Sequence, residues 1–304
     1  MPGHLLHLQL ARELLSDSDG WQAPKWSDNP EAVNAFYHGA IGPDMGYFPG
    51  ADTLLADLSH YVRPGVLVRE MLHHAESDVE EAYAWGWASH LISDVEAHVR
   101  VVNPRCGEIV NGSSDRPAIY AESPATHIAV EVGLDAAQLR SMPKVDQIRL
   151  KSAFDESTIR FLRQAYLTTY DLDIDESRLI RSHHAVARFQ ALIFRFTALI
   201  GRRQLGLQLS WTDRLLLVAY LPAKWLTSIG TRSRAYGATH PDRPPGWVIS
   251  ETEDMSGSFQ STFAGHLANE FASLLEINVD TGAVDDPTYP CSARARHRLA
   301  RRKR

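Results

Sequence analysis

The sequence predicts an all-α fold, a single-domain bundle of many helices around a shared core. Three observations carry this. Apolar residues recur at helical spacing along most of the chain. Convincing period-2 alternation is almost absent. Clusters of Gly, Pro, Asn and Asp cut the chain into helix-length pieces. With 304 residues and 44% hydrophobic content, the chain can bury a substantial core.

The elements follow in order. Leu5, Leu8, Ala11, Leu14 and Leu15 form one apolar helical face. Residues 16–30, "SDSDGWQAPKWSDNP", read as a loop. "EAVNAFYHGAIG" is a short helix that ends at Gly42-Pro43. "PGVLVREMLHHAES" and "DVEEAYAWGWASHLISDVEAHV" are two stronger helices. Asp78 is the expected N-cap of the second, with Glu80 and Glu81 placed to complement the helix dipole. Residues 103–124 hold Pro104, Gly107, Asn111, Gly112 and Pro117 and read as a long irregular connection. "SPATHIAVEVGLDAAQLR" resumes a helix, and 145–170, 176–205, 208–228 and 257–277 are further helices. "GATHPDRPPG" is the loop between the last two. No internal repeat or domain boundary stands out. The expected organisation is one helical domain over 1–290, followed by a basic, flexible tail over 291–304.

The formal charge of -6 conceals an asymmetry. The last eleven residues, "RARHRLARRKR", contain seven Lys/Arg and no acid. Without them 24 basic residues face 37 acidic ones, a net charge of -13. A body so acidic, with no basic groove, argues against a nucleic-acid enzyme. The basic end reads as solvated, with weak attraction to an anionic surface as its functional alternative. Two distant cysteines, Cys106 and Cys291, make no disulfide framework. "MPGHLLHLQLARELL" lacks the basic start and apolar core of a signal peptide. No window approaches the roughly 20 apolar residues of a membrane span. The expected location is the cytoplasm.

The chemistry lies in "SHLISDVEAH". His90, Asp94 and His98 recur at intervals of four, which puts them on one stripe of a helix. Trp85, Trp87, Leu91, Ile92 and Val95 surround that stripe, so the helix is expected to be buried. Buried ionisable groups are costly without partners, and a metal would satisfy imidazole and carboxylate together. "THIAVEVGLD" repeats the device with His127, Glu131 and Asp135 among apolar residues. One such stripe reads equally as a surface ion-pair ladder. Two embedded in apolar sequence point inward. His7 within an apolar helix, Asp44 after a Gly-Pro breaker and His60 at a helix junction are weaker single signals.

In that order along the chain, His7, Asp44, His60, His90, Asp94, His98, His127 and Glu131 resemble the zinc-dependent phospholipase C family. That family is related to bacterial phospholipase C and, more distantly, to fungal single-strand nucleases. "MPGHLLHLQLA" is similar to the family's opening, "GPDM" to its Gly-x-Pro-Asp turn and "HLISDVEAH" to its central helix. "GWVISETEDMSGSFQSTFAGHLANEF" is similar to its closing segment, so the resemblance spans nearly the whole chain. It implies an all-helical fold and a cluster of two or three zinc ions. Asp44, His60, His90 and Asp94 would hold one ion, and His98, His127 and Glu131 a second. Asp94 would bridge toward a third, which His7 would also bind. In secreted relatives the mature N-terminus helps bind that third ion. Here Met1-Pro2 precede the helix and no cleavable leader is expected, so a dinuclear centre stands beside the trinuclear one.

The implied activity is hydrolysis of a phosphoester, from a small molecule or a lipid headgroup, by a metal-activated water. Asp44 would orient or deprotonate that water. Two other classes stay open: a metal-dependent biosynthetic enzyme with non-hydrolytic chemistry on the same scaffold, and a metal-stabilised helical binding module. His4 is an alternative to His7, and His73 or His74 to His60. Asp135 reads as a helix-terminal acid ahead of a partner to a ligand. His38 lies ahead of the Asp44 turn; His183, His184 and His266 read as structural. Tyr37, Tyr47 and Phe48 are the candidate substrate contacts. With Trp21 and Trp26 they form either an aromatic wall, open to cation–π contact with choline, or ordinary core.

Overall fold

The structure is a computed structural model, and it describes residues 3–141, 156–204, 244–284 and 286–303, with Leu150 and Trp211. Among these residues it is all-α, with two isolated β-bridges and no strand. The helices are α1 (His4–Glu13), α2 (Pro30–Ile41), α3 (Thr53–Tyr61), α4 (Pro64–His74) and α5 (Asp78–Ala97). They continue with α6 (Asn103–Asn111), α7 (Pro124–Ser141), α8 (Glu156–Tyr170), α9 (Glu176–Gln204), α10 (Gly246–Ala268) and α11 (Pro290–Arg302). A 3-10 turn, Gly42–Tyr47, leads from α2 toward α3, and a π-helical turn, His98–Val102, joins α5 to α6.

The bundle is organised around α5. Tyr83, Ala84, Trp87, Ala88, Leu91 and Ile92 are buried on it, and so are Ser89, His90, Ser93 and Asp94. With only Asp78, Val79, Glu81, Trp85, Val95 and Glu96 reaching solvent, most of this helix is covered, so its central polar residues face partners inside the protein. α1, α2, α4 and α10 pack against it. The α2–α5 crossing depends on two glycines. A Cβ at Gly39 would lie 2.0 Å from the Tyr83 carbonyl oxygen, and one at Gly86 would lie 2.0 Å from the Phe36 carbonyl oxygen. That close approach brings the end of α2, and the Asp44 turn after it, against the His90–Asp94 stretch.

Several boundaries differ from those expected. Ser77, not Asp78, caps α5, and its hydroxyl accepts the Glu80 N–H. The connection after Asn103 begins with a helix: Pro104 sits at its first turn, where a missing N–H costs nothing, and Gly112 ends it in the left-handed conformation. The late helix is 246–268 rather than 257–277: it ends at the Asn269 C-cap, and Glu270 and Phe271 follow in the left-handed region. α3 was hidden because it is short and apolar on most sides. Apart from Trp211, the expected helix at 208–228 lies outside the described residues. The basic end is not a loose tail. Cys291, Ser292 and Ala295 are buried in α11, which packs on α3. Arg298 reaches Asp57 at 2.7 Å and Arg302 reaches Asp52 at 2.7 Å. Its charges, read as solvating a free end, instead meet two carboxylates on and beside α3.

Candidate metal centre

Eight of the residues singled out in the sequence converge, although they come from six elements. His7 comes from α1, Asp44 from the 3-10 turn, and His60 from the last turn of α3. His90 and Asp94 come from α5, His98 from the π-helical turn, and His127 and Glu131 from α7. All are buried. Three sets bring possible ligand atoms within 4.8 Å of one another: His7–Asp44–His90 and His60–His90–Asp94, which share His90, and His98–His127–Glu131.

Asp94 lies between the sets. Its Oδ1 is 3.2 Å from His7 Nε2 and 3.9 Å from His98 Nε2. Its Oδ2 is 3.4 Å from His90 Nε2 and 3.5 Å from His60 Nε2. Asp44 Oδ1 is 3.4 Å from His60 Nε2, and its Oδ2 is 3.3 Å from His4 Nε2. Glu131 Oε1 lies 3.0 Å from His127 Nδ1 and 3.2 Å from His98 Nε2.

The outer nitrogens decide what the inner ones can do. His60 Nδ1 donates to the Ala56 carbonyl at 2.8 Å, His90 Nδ1 to Ala40 at 2.9 Å and His98 Nδ1 to Val279 at 3.0 Å. His7 Nδ1 donates to Ser93 Oγ, whose own hydrogen goes to the His90 carbonyl. His127 is reversed: Nε2 donates to Asn103 Oδ1 at 3.0 Å and Nδ1 faces Glu131. In the neutral tautomer these bonds fix, each ring aims a bare lone pair at a carboxylate. His60 and His90 also point Nε2 at each other across 3.3 Å. Lone pairs facing lone pairs in a dry interior need a cation between them. Both oxygens of Asp44 and of Asp94 are buried with no hydrogen-bond donor. The residues therefore fit divalent metal, and a mixed imidazole–carboxylate set suits zinc.

The charges agree. Burial alone would push Asp44 up, yet His4 and His60 hold it well below the usual carboxylate range. Burial also opposes ionised Asp94, and His90 and His98 overcome it. Against burial, Asp94 and Glu131 push His98 up to about 10. Burial, helped by His90, draws His7 down to about 4.

Zinc-dependent phospholipase C is the family that matches this sequence, over residues 6–176. The chain belongs to that family. No curated protein and no solved structure gives a match. Family and geometry together make the protein a zinc-dependent hydrolase, with several His/Asp sets able to hold zinc and the makings of phospholipase C-like phosphodiesterase activity.

Against that family background the other expectations sort themselves. His4 and His7 are not alternatives: His4 faces Asp44 and His7 faces Asp94. His73 and His74 lie elsewhere, on α4, where His74 meets Glu70 and Thr168. His38 and His183 are buried, and His183 pairs with the Tyr83 hydroxyl at 2.9 Å. A cavity of about 140 Å³ opens onto the centre, lined by Tyr47, Tyr61 and Tyr120 with His60, Asp94, His98, His127 and Glu131. Tyr47 is thus at the cavity. Phe48 is buried and stacks on His4, with ring centroids 5.2 Å apart. Tyr37 packs against Phe36 and does not line the cavity. Trp21 and Trp26 both pack on Trp85, as core. A wider recess of about 1100 Å³, beside α4 and residues 270–284, contains none of the clustered residues.

Asp135 is a correction. It is buried and accepts the N–H groups of Leu5 and Leu6 at 3.2 and 3.1 Å, so it caps α1 from another helix. Burial raises it to about 7, against those two N–H groups. The sequence reading also missed Asp280, buried with Oδ1 3.2 Å from His127 Nε2, and Asn103. Neither has a stripe or motif that could have flagged it. No helix among the described residues is long and apolar enough to cross a membrane.

Proposed function

We propose that the protein hydrolyses a phosphodiester at a zinc centre, with Asp44, His60, His90 and Asp94 holding one ion and His98, His127 and Glu131 a second. Asp94 and His7 would share a third. The observation that carries this reading is the set of five imidazoles, each with its outer nitrogen spent on a protein acceptor and its inner one aimed at a carboxylate. Bound zinc lowers the pKa of its water and neutralises charge on phosphoryl oxygens.

The protein's own groups do the rest. Asp94 and Glu131 are the carboxylates that line the cavity, and Asp44 is not part of its lining. Asp44 therefore suits a ligand better than a base. Burial holds the Tyr47, Tyr61 and Tyr120 phenols above their usual pKa, so they stay neutral; Tyr61 and Tyr120 can donate to phosphoryl oxygens, whereas Tyr47 donates to Asp57. A cavity of about 140 Å³ is small beside drug-sized sites of roughly 300–1,000 Å³. It suits a phosphoryl group with a small substituent, so a lipid would enter by its headgroup. Anionic-surface contact through the basic end has less support, because Arg298, Arg302 and Lys303 are paired with Asp57, Asp52 and Asp171. Two free, buried cysteines accord with a cytoplasmic location, which fractionation would check.

The test is metal analysis of the full chain beside cleavage of a chromogenic aryl phosphodiester. At least two zinc ions per chain, with cleavage lost to a chelator and restored by zinc, is the expected result. Fewer than two ions overturns the centre. Two ions without cleavage of any phosphodiester favours non-hydrolytic chemistry.

A further inference from the structure

The second of these metal sets is not completed by the helices that supply it. His98 and His127 both turn their outer nitrogens toward a short loop far along the chain. His98 Nδ1 donates to the Val279 carbonyl at 3.0 Å. His127 Nε2 lies 3.2 Å from Asp280 Oδ1. The same oxygen is 3.9 Å from His98 Nδ1 and has no hydrogen-bond donor of its own.

Asp280 is itself held from several sides. Its Oδ2 accepts the Tyr120 N–H at 3.0 Å and the Tyr289 hydroxyl. Its N–H donates to Asn278 Oδ1 at 3.0 Å, and its carbonyl accepts Asn103 Nδ2 at 2.6 Å. Asn103 Oδ1 in turn accepts from His127. The loop is closed on itself: Gly282 donates to the Asn278 carbonyl at 2.9 Å, and Ile277 bridges to Val284. A buried carboxylate fixed this firmly, with one oxygen left for an imidazole, is what orients a metal-binding histidine and raises its basicity.

We infer that Asp280 is a positioning residue for the His98–His127–Glu131 metal set, so that a segment lying beyond the matched residues 6–176 sets the zinc affinity of that set alone. The inference rests on the zinc-centre reading above. Asn103 accepts the His127 Nε2 proton, and the Asp280 charge 3.2 Å away favours the proton on that nitrogen, so Nδ1 is turned inward; Val279 accepts from His98 Nδ1 and leaves its Nε2 facing inward. The His60–His90–Asp94 set has its own acceptors, Ala56 and Ala40, and does not depend on the loop.

The experiment is zinc competition against a chromophoric chelator on the full chain, wild type beside Asp280→Asn, with cobalt(II) substitution as a spectroscopic readout. The expected variant binds as many ions as wild type, but one class is weakened about 10–100-fold. The cobalt bands of that class shift and the others stay. Unchanged affinity overturns the inference. So does loss of one ion at saturating zinc, which would make Asp280 a ligand. Equal weakening of every class, the mark of general loosening, also overturns it. Should Asp280→Asn fail to fold, Tyr289→Phe removes only one of the two anchors of Oδ2 and leaves the Tyr120 N–H. It is expected to weaken the same class by less, and no selective weakening counts against the proposal. Wild type with fewer than two ions instead overturns the zinc centre itself.

Discussion

The two halves of the centre are built differently. The part around Asp44 and Asp94 uses residues 7–94, all from α1 to α5, and its outer hydrogen bonds go to those same elements. The part around Glu131 uses a π-helical turn and α7, and its outer contacts come from residues 103 and 278–280. The first is carried by neighbouring helices around the close α2–α5 crossing. The second is a long-range assembly that closes only when the end of the chain folds back. Substitutions should therefore separate them, and Asp94, which touches both, should have the largest effect.

Asp94→Asn removes the charge that four imidazoles share. Zinc content after dialysis should fall in both classes, by more than the roughly 10–100-fold typical of an outer partner. Phosphodiester cleavage should fall with it. Asp44→Asn should affect only the first class, because its contacts are His4 and His60. Equal loss of both classes in Asp44→Asn would erase the distinction between the two halves.

This asymmetry also explains what the sequence made legible. The i, i+4 stripes of α5 and α7 could be read because one helix face puts His90, Asp94 and the start of His98 together, and another puts His127 with Glu131. Asp44 and His60 were legible only through the resemblance, since a lone acid and a lone histidine carry no spacing. Asp280 and Asn103 were illegible, because nothing local marks a residue whose partner is 153 or 24 positions away in chain order. Asp135 reads as a helix-terminal acid because its partners are backbone N–H groups of α1, which carry no sequence signal. The helical fold was legible from periodicity. α3 and α6 are not: α3 is short and largely apolar, the Pro104 and Gly112 that bound α6 read equally as loop residues, and α11 is concealed by its charge.

The next effect in size tests the scaffold of the first half. Gly86→Ala would place a methyl group against the Phe36 carbonyl, where a Cβ would be only 2.0 Å away. Backbone must move, at a cost of about 1–3 kcal/mol. Thermal unfolding should show that loss. Zinc competition should show weakening of the first class, whose Asp44 and His90 lie on either side of the crossing. A variant as stable as wild type would mean that the crossing is looser than described.

A smaller effect concerns the joint between the halves, where α7 caps α1. Asp135 is raised by burial from 3.8 to about 7. A carboxyl that holds its proton more tightly when folded contributes stability at low pH and loses it as pH rises. The loss starts near 3.8 and is complete above about 7. Asp135→Asn cannot ionise. The stability of wild type relative to this variant should therefore decline between pH 4 and pH 7 and level off above. Denaturant melts of both proteins across that range measure it, and a flat or rising difference would show that the two N–H groups outweigh burial.

The smallest effect is expected where α11 docks. Arg298 donates to Asp57 Oδ2 at 2.7 Å and to Thr53 Oγ1 at 2.9 Å, but it is about one-third exposed. Asp57 also accepts the Tyr47 hydroxyl at 3.3 Å and has Arg294 3.8 Å away, so it keeps partners when Arg298 is lost. Arg298→Ala should cost no more than about 1 kcal/mol, and less as salt screens the pair. Burial of Cys291 and Ala295 keeps α11 in place. Tyr289 just ahead of it keeps its hold on Asp280, so both zinc classes should persist at wild-type affinity. Selective weakening of the second class in Arg298→Ala would mean that the docked helix, and not the 278–280 loop alone, closes that half of the centre.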